Sequence, residues 1–251
     1  MSTRVPFSLI WYPGTRAVAY LNVLRDLNRK PDVIVTLNNA RDITKNERFQ
    51  EQLKALDPGY DVSYQLEAYI AEYPTPVIHS VAHSINDFAL QDILQDHGTK
   101  TWLFTGGGIL KPDLFNFGAR YLHIHPGRLP QFRGSTCFYY SLLKNNSLSA
   151  SAFFLRPELD SGEVICERSF RLRIPEQAPP ALYMDHIVDP WIRSQTLKST
   201  LQTNFERGST PPKPQHAPRP YYVMHPVLRA ATVMRQQIRS RNLPCGVTAY
   251  E

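Results

Sequence analysis

A rhythm constrains this chain more than any single residue does. An apolar run at residues 5–12 ends at Pro13-Gly14, a pair that marks a turn. Residues 15–28 then place Val18, Leu21, Leu24 and Leu27 near helical spacing. After Lys30-Pro31-Asp32 comes the β-branched run Val33-Ile34-Val35-Thr36-Leu37. Strand, helix and strand within about 35 residues predict a right-handed βαβ unit in a parallel sheet.

The alternation continues. Helices are predicted over residues 45–56, 63–72, 85–96 and 136–144, and strands over 76–79, 101–105 and 120–125. Two alternating strands follow at 149–156 and 163–173, split by Asp160-Ser161-Gly162. The fold class is therefore α/β, a doubly wound, mostly parallel sheet of Rossmann type with a mixed edge. Residues 181–207 read as helix, with Pro190 starting, kinking or breaking it. Residues 208–220 form a proline-rich connector, and an amphipathic helix over 226–241 follows. The expected division is a catalytic domain at 1–175 and a helical, proline-rich extension at 176–251 packed on it.

Composition removes several classes of protein. No apolar run approaches the ~20 residues of a membrane span, and no signal-peptide pattern opens the chain, so a cytoplasmic protein is expected. Cys137, Cys166 and Cys245 are sparse and odd in number, which argues against a disulfide framework or a Cys-x-x-Cys metal pair. Net charge is +6, but from Glu206 onward seven Lys or Arg stand against two Glu. The basicity belongs to the tail and says little about the main domain.

In such a sheet, ligands bind at the carboxyl ends of the strands. Three of those ends are unusual here. Gly106-Gly107-Gly108 follows the 101–105 strand and allows close backbone approach to a ligand, but it matches neither a dinucleotide fingerprint nor a phosphate loop. His123-Ile124-His125-Pro126 ends the next parallel strand. Residues two apart on a strand point the same way, so both imidazoles face one side. Asp160-Ser161-Gly162 is either a plain hairpin turn or a carboxylate placed to orient an imidazole.

The order and spacing of these elements carry more than each alone. The chain reads His123-Ile124-His125-Pro126-Gly127-Arg128-Leu129-Pro130-Gln131-Phe132-Arg133-Gly134, then Leu159-Asp160-Ser161-Gly162. This resembles the folate-dependent formyltransferases, whose mark is Asn-x-His-Pro, a Leu-Pro-x-x-x-Gly stretch and a later Asp-x-Gly. Gly108-Ile109-Leu110 is similar to that family's Gly-Arg-Ile-Leu loop. The resemblance spans roughly residues 5–175.

The resemblance implies transfer of a formyl group from 10-formyltetrahydrofolate to an amine, through a tetrahedral oxyanion stabilised by preorganised donors. It gives His125 the role of oxyanion donor and proton handler, and Asp160 that of holding the imidazole or a water and helping remove the amine proton. The folate is implied against Gly107, Gly108, Ile109 and Leu110, with its pterin in a slot lined by Leu155, Arg156 and Leu159. Arg128, Arg133, Ser135 and Thr136 are the candidates for the acceptor, or for capping their loop and helix.

One position departs from the family. His123 stands where the family has asparagine, and a histidine's charge changes near pH 6.5. It either replaces the amide as a donor, or marks a changed reaction such as formyltetrahydrofolate hydrolysis, or forms with His125 and Asp160 a two-His-one-carboxylate metal site. The expected acceptor is a small amine, an amino sugar nucleotide or an amino acid derivative. The tRNA enzyme of the family carries a β-rich C-terminal domain, and the tail here shows no such strand pattern. A homodimer is the assembly the family implies.

Overall fold

The computed structural model describes residues 7–38, 56–57, 59–174, 180–203, 219–240 and 247–250. The first β-strand, β1 (Ser8–Trp11), is wholly buried and leads into α1 (Thr15–Asp26) and β2 (Ile34–Thr36). After α2 (Leu66–Glu72) come β3 (Val77–His79), α3 (Phe88–His97) and β4 (Thr101–Phe104). A 3-10 turn at Pro112–Phe115 precedes β5 (Arg120–His125), which feeds α4 (Cys137–Asn145). Strands β6 (Leu148–Phe154) and β7 (Val164–Leu172) follow. The chain then runs through α5 (Pro180–Tyr183), a π-helical turn (Met184–Val188) and α6 (Asp189–Gln202). Helix α7 (Pro226–Arg239) and strand β8 (Val247–Tyr250) complete the described residues.

The sheet order is β3-β2-β1-β4-β5-β6-β7-β8. Strands β1 to β5 are parallel, and β6, β7 and β8 join antiparallel. The chain winds from β1 outward to β3, then returns past β1 to β4. The reversal leaves a crevice at the carboxyl ends of β1 and β4, beside β5. Tyr20, Leu21 and Leu24 of α1 share one core with Ile187 and Ile192 of the α5–α6 region. Leu90 and Leu94 of α3 cover the other face of the sheet with Trp102 and Phe104. Ala17 to Leu24 of α1 are all buried, because the helix lies between the sheet and α6.

Several boundaries differ from expectation for physical reasons. Helix α3 starts at Phe88 and not at 85, because the Asp87 carboxylate accepts the Ala89 N–H as an N-cap. The long helix after 180 changes to a π turn at Met184–Val188 just before Pro190, where the ring removes an N–H from the helical ladder, and continues as α6. Strand β8 was not foreseen: four residues, Val-Thr-Ala-Tyr, give too short a pattern to separate from coil. The predicted helix over 45–56 and the connector at 208–220 lie almost wholly outside the described residues, as does Cys245. Cys137 and Cys166 are free thiols, and burial pushes Cys137 up to about 12. No helix among the described residues is long and apolar enough to cross a membrane.

Candidate active site

The two histidines of β5 lie on one side of the sheet, and both rings pack edge-on against Phe153 of β6. Antiparallel pairing sets His123 opposite Phe153 and His125 opposite Ser151. Leu122 and Ile124 point the other way into the core under α1 and α6. The alternation of β5 thus separates an apolar side from an imidazole side.

His125 ends the strand and is 3% exposed. Its Nε2–H donates to the Phe132 carbonyl oxygen at 2.7 Å. A carbonyl can only accept, so the neutral ring carries its proton on Nε2 and turns the Nδ1 lone pair to Asp160, 3.6 Å from Oδ2. Burial lowers the His125 pKa. Asp160 and the Phe132 carbonyl oppose that shift, and Arg193 adds to it.

Asp160 is held from the same loop. Its Oδ2 accepts the Gly134 N–H at 2.7 Å. The Arg133 guanidinium donates to the Leu159 carbonyl, from Nε at 3.0 Å and from its terminal nitrogen. Asp160 sits at φ 47, a left-handed conformation that a non-glycine residue keeps only when its surroundings fix it. Phe132 and Gly134 therefore position both members of the pair, one by a carbonyl and one by an N–H.

That loop is itself clamped. Tyr221 forms a parallel bridge to Gly134: its N–H donates to the Arg133 carbonyl (2.7 Å), and its carbonyl accepts the Ser135 N–H (2.8 Å). The Tyr221 ring stacks between Phe132 and Tyr140. A Cβ on Gly134, at φ +99, would lie 2.3 Å from the Tyr221 carbonyl oxygen, so only glycine fits. The Thr136 hydroxyl accepts the Met224 N–H at 2.9 Å and does not cap α4. From the other side, Ser151 donates to the Gly127 carbonyl and accepts the Leu129 N–H.

His123 stands differently. Its ring packs against Phe104, its backbone partner is Phe104, and Nδ1 is buried without a partner. Burial, then Arg193, Arg16 and His125, lower its pKa well below the ordinary value, so the ring is neutral at pH 7. A neutral imidazole carries one N–H and one lone pair, so at the unpartnered Nδ1 it can present a donor or an acceptor where the family has an amide. The three-donor metal alternative finds no support: among the described residues no three His, Cys, Asp or Glu side chains converge as ligands.

The cations nearby come from beneath the sheet. Arg193 of α6 donates to Asp189 Oδ1 at 2.8 Å and to the Ile124 carbonyl, between the two histidines. Arg16 of α1 donates to the Gly106 carbonyl at 2.7 Å and lies 3.8 Å from Asp189. Burial lowers Arg16 to about 10. These arginines tie the ends of β4 and β5 together. Sequence reasoning missed them, although Asp189 and Arg193 are four apart on a helix, a spacing that favours pairing.

The remaining predicted residues divide. Gly107, Gly108 and Ile109 are exposed and Leu110 is buried. The Asn86 side chain holds their loop, donating to the Ile109 carbonyl and accepting the Lys111 N–H, both at 2.8 Å. Leu155 donates its N–H to the Tyr121 carbonyl, which sets the start of the turn that carries Arg156 and Leu159. Ser135 is exposed, and Arg128 is exposed and paired with Glu167 of β7 at 2.6 Å. The structure shows Arg128 on that surface pair and Arg133 on the Asp160 turn.

No protein-family model and no curated protein matches the sequence. Solved structures do resemble the fold. Glycinamide ribonucleotide transformylase 1 from Symbiobacterium toebii is similar at a TM-score of 0.51 and 14% identity, with 81% of this chain and 87% of that one covered. A sugar N-formyltransferase from Shewanella is similar at 0.52 and 11%, covering 94% and 88%. A formyltetrahydrofolate deformylase from Pseudomonas syringae is similar at 0.51 and 15%, covering 82% of this chain and 62% of that one. At these identities the likeness is one of fold, and in fold the resemblance drawn from the motif holds.

Proposed function

We propose that this chain is a cytoplasmic N-formyltransferase that moves a formyl group from 10-formyltetrahydrofolate to the amine of a small molecule, an amino sugar nucleotide or amino acid derivative. The observation that carries the reading is the placement of His125 between two acceptors, the Phe132 carbonyl and the Asp160 carboxylate. An imidazole so placed is ready to take a proton at Nδ1, because the resulting imidazolium would face an acceptor at each nitrogen. Its lowered pKa favours returning that proton.

The residues present suit the donor. Gly107 has open space where a Cβ would stand, and Gly108 has φ +104, so backbone there is accessible beside buried Leu110. Gly107, Gly108, Ile109 and Leu110, with Leu155, Arg156 and Leu159 opposite, would hold the folate. The bound donor supplies an activated formyl carbon. His125 and Asp160 take up the proton that the attacking amine must lose. Burial of the pair strengthens its electrostatics, since little water screens it. Phe132 and Gly134 keep both groups oriented before any substrate arrives.

A second reading rests on His123. A buried ring nitrogen without a partner, in place of the family's amide, suits a water molecule, and water as the nucleophile gives formyltetrahydrofolate hydrolysis. Incubation with 10-formyltetrahydrofolate, with and without a panel of amino sugars and amino acids, separates the readings. Amine-dependent appearance of tetrahydrofolate and a formylated product supports transfer. Amine-independent formate release supports hydrolysis. No turnover with either, together with no calorimetric binding of tetrahydrofolate, removes both.

A further inference from the structure

A cavity of about 330 Å³ lies between α6 and β7. Trp191, Gln195, Lys198, Ser199 and Gln202 of α6 line it, at the spacings of three and four that put side chains on one side of a helix. Arg168 and Phe170 of β7 close it from the sheet, two apart and so on one face. That face is not the one that carries the imidazoles. Arg168 is in register with Ala150 and Phe170 with Leu148, both in the core under α6, whereas His125 is in register with Ser151 and, through it, with Glu167. The cavity is therefore separate from the active site, two strands away and on the opposite side of the sheet.

Its chemistry is one-sided. Phe170 and Trp191 are buried, pack edge to face and form an apolar floor. The rest of the lining is polar, with two cations and no carboxylate. Arg168 reaches across to the helix, where its Nη1 donates to the Ser199 hydroxyl at 3.0 Å. Its Nε is buried without a partner, and so is the indole nitrogen of Trp191, a residue 5% exposed. Both groups donate only. A buried donor without an acceptor is rare in a native fold and costs stability until one arrives. Two such donors at one cavity call for an acceptor. The carboxylates at its border are engaged elsewhere: Asp26 accepts from Lys198 and Asp57 from Gln195, both at 3.0 Å. An ammonium has three hydrogens, so Lys198 keeps others for a second acceptor.

We propose that this cavity is a second binding site, and that its ligand is a small hydrophilic molecule bearing a carboxylate or phosphate group. The oxyanion takes the Nε edge of Arg168, the edge of a guanidinium that meets two oxygens side by side, with Lys198 beside it and the Trp191 N–H on the floor. Ser199 holds the guanidinium by one terminal nitrogen, so the fork can turn to the ligand without leaving the cavity. The volume is within the roughly 300–1,000 Å³ of small-molecule sites. None of these residues belongs to the proposed formyl-transfer site, so the two readings fail separately.

Titration of the full chain with inorganic phosphate and, separately, with malonate, at constant ionic strength, tests the site. Calorimetry should give saturable binding of at least one of the two anions. In heteronuclear NMR spectra the Trp191 indole N–H should move downfield as it gains an acceptor, while those of Trp11 and Trp102 stay in place. Arg168→Gln should weaken binding about tenfold or more, the order of a lost charge-assisted hydrogen bond. Trp191→Phe keeps the ring and should weaken it about threefold. Lys198→Gln, at a half-buried position with less risk to the fold, should also weaken it. Arg128→Ala, at a candidate acceptor position of the active site, should leave it unchanged. Saturation by phosphate alone or by malonate alone identifies the group that the ligand carries. No binding of either anion at millimolar concentration overturns the proposal. So does binding that survives both Arg168→Gln and Lys198→Gln, or that Arg128→Ala removes.

Discussion

Two corners of β5, one turn of pleat apart, hold the same residue type on the same side of the sheet and give it opposite properties. At the strand's end His125 has an acceptor facing each nitrogen. Two residues earlier His123 has one backbone partner and one buried nitrogen with none. The difference does not arise from burial, which lowers both rings. It arises from the loop at residues 127–136, which folds back over His125, supplies the Phe132 carbonyl and pins the Asp160 carboxylate through the Gly134 N–H, whereas His123 packs against the rings of Phe104 and Phe153. Identity and direction of a side chain are thus insufficient to assign it a task. What decides is which backbone groups arrive at its polar atoms.

The contrast predicts a graded set of effects. The largest belongs to the pair itself. His125→Ala or Asp160→Asn should lower formyl turnover by about 10²–10⁴-fold with the fold retained, as read by steady-state kinetics and circular dichroism. A loss below tenfold for both would sink the assignment. Next comes the loop that makes the difference. Gly134→Ala forces a Cβ against the Tyr221 carbonyl, and the shift propagates to the N–H on Asp160. Turnover should fall by about 10²-fold, the order expected for a displacement of about 1 Å, with a stability loss of about 1–3 kcal/mol in urea.

His123→Asn sharpens the comparison from the other side. It restores a donor that does not titrate, so transfer should be unchanged or faster, while amine-independent formate release should fall. A collapse of all turnover would instead make His123 part of the reacting machinery. The same variant bears on pH. Both histidines have folded pKa values below the ordinary value near 6.5, so the unfolded chain binds more protons than the native one as pH falls below that value. Their contribution is fully present above pH 6.5 and is lost as pH drops toward the folded values. Urea midpoints at a series of pH values should show this decline, and His123→Asn should flatten it. The smallest effect is expected at Arg128. Its pair with Glu167 is half-exposed, and Arg128→Ala should change stability by less than about 1 kcal/mol. A raised KM for the acceptor with unchanged kcat would show that Arg128 leaves Glu167 to bind substrate.

Much of this was legible in the sequence because the period-two and helical patterns of an α/β chain are local. Val33 to Leu37 could be little other than a buried strand, and the shared face of His123 and His125 follows from strand geometry alone. What the sequence could not show is set by distant contacts. Nothing in Tyr221 announces that its backbone will bridge Gly134, 87 positions earlier. Arg16 and Arg193 read as ordinary helix cations until α1 and α6 are stacked under the strand ends. The packing of α7 was also hidden. It buries Thr232 and Gln236 and leaves Val227, Met234 and Ile238 exposed, and a strong amphipathic pattern says that a helix has two sides and not which one the protein keeps.

The Tyr221 bridge also orders events during synthesis. Strand β5 and the Asp160 turn leave the ribosome early, with the sheet already able to form around β1, β2 and β4. At about 5–20 residues per second, several seconds separate Asp160 from Tyr221. During that interval a nascent chain holds both halves of the reacting pair without the clasp that fixes their spacing. If the proposed function holds, a product truncated before Tyr221 should carry His125 and Asp160 without their clasp and turn over far less than the chain that includes it.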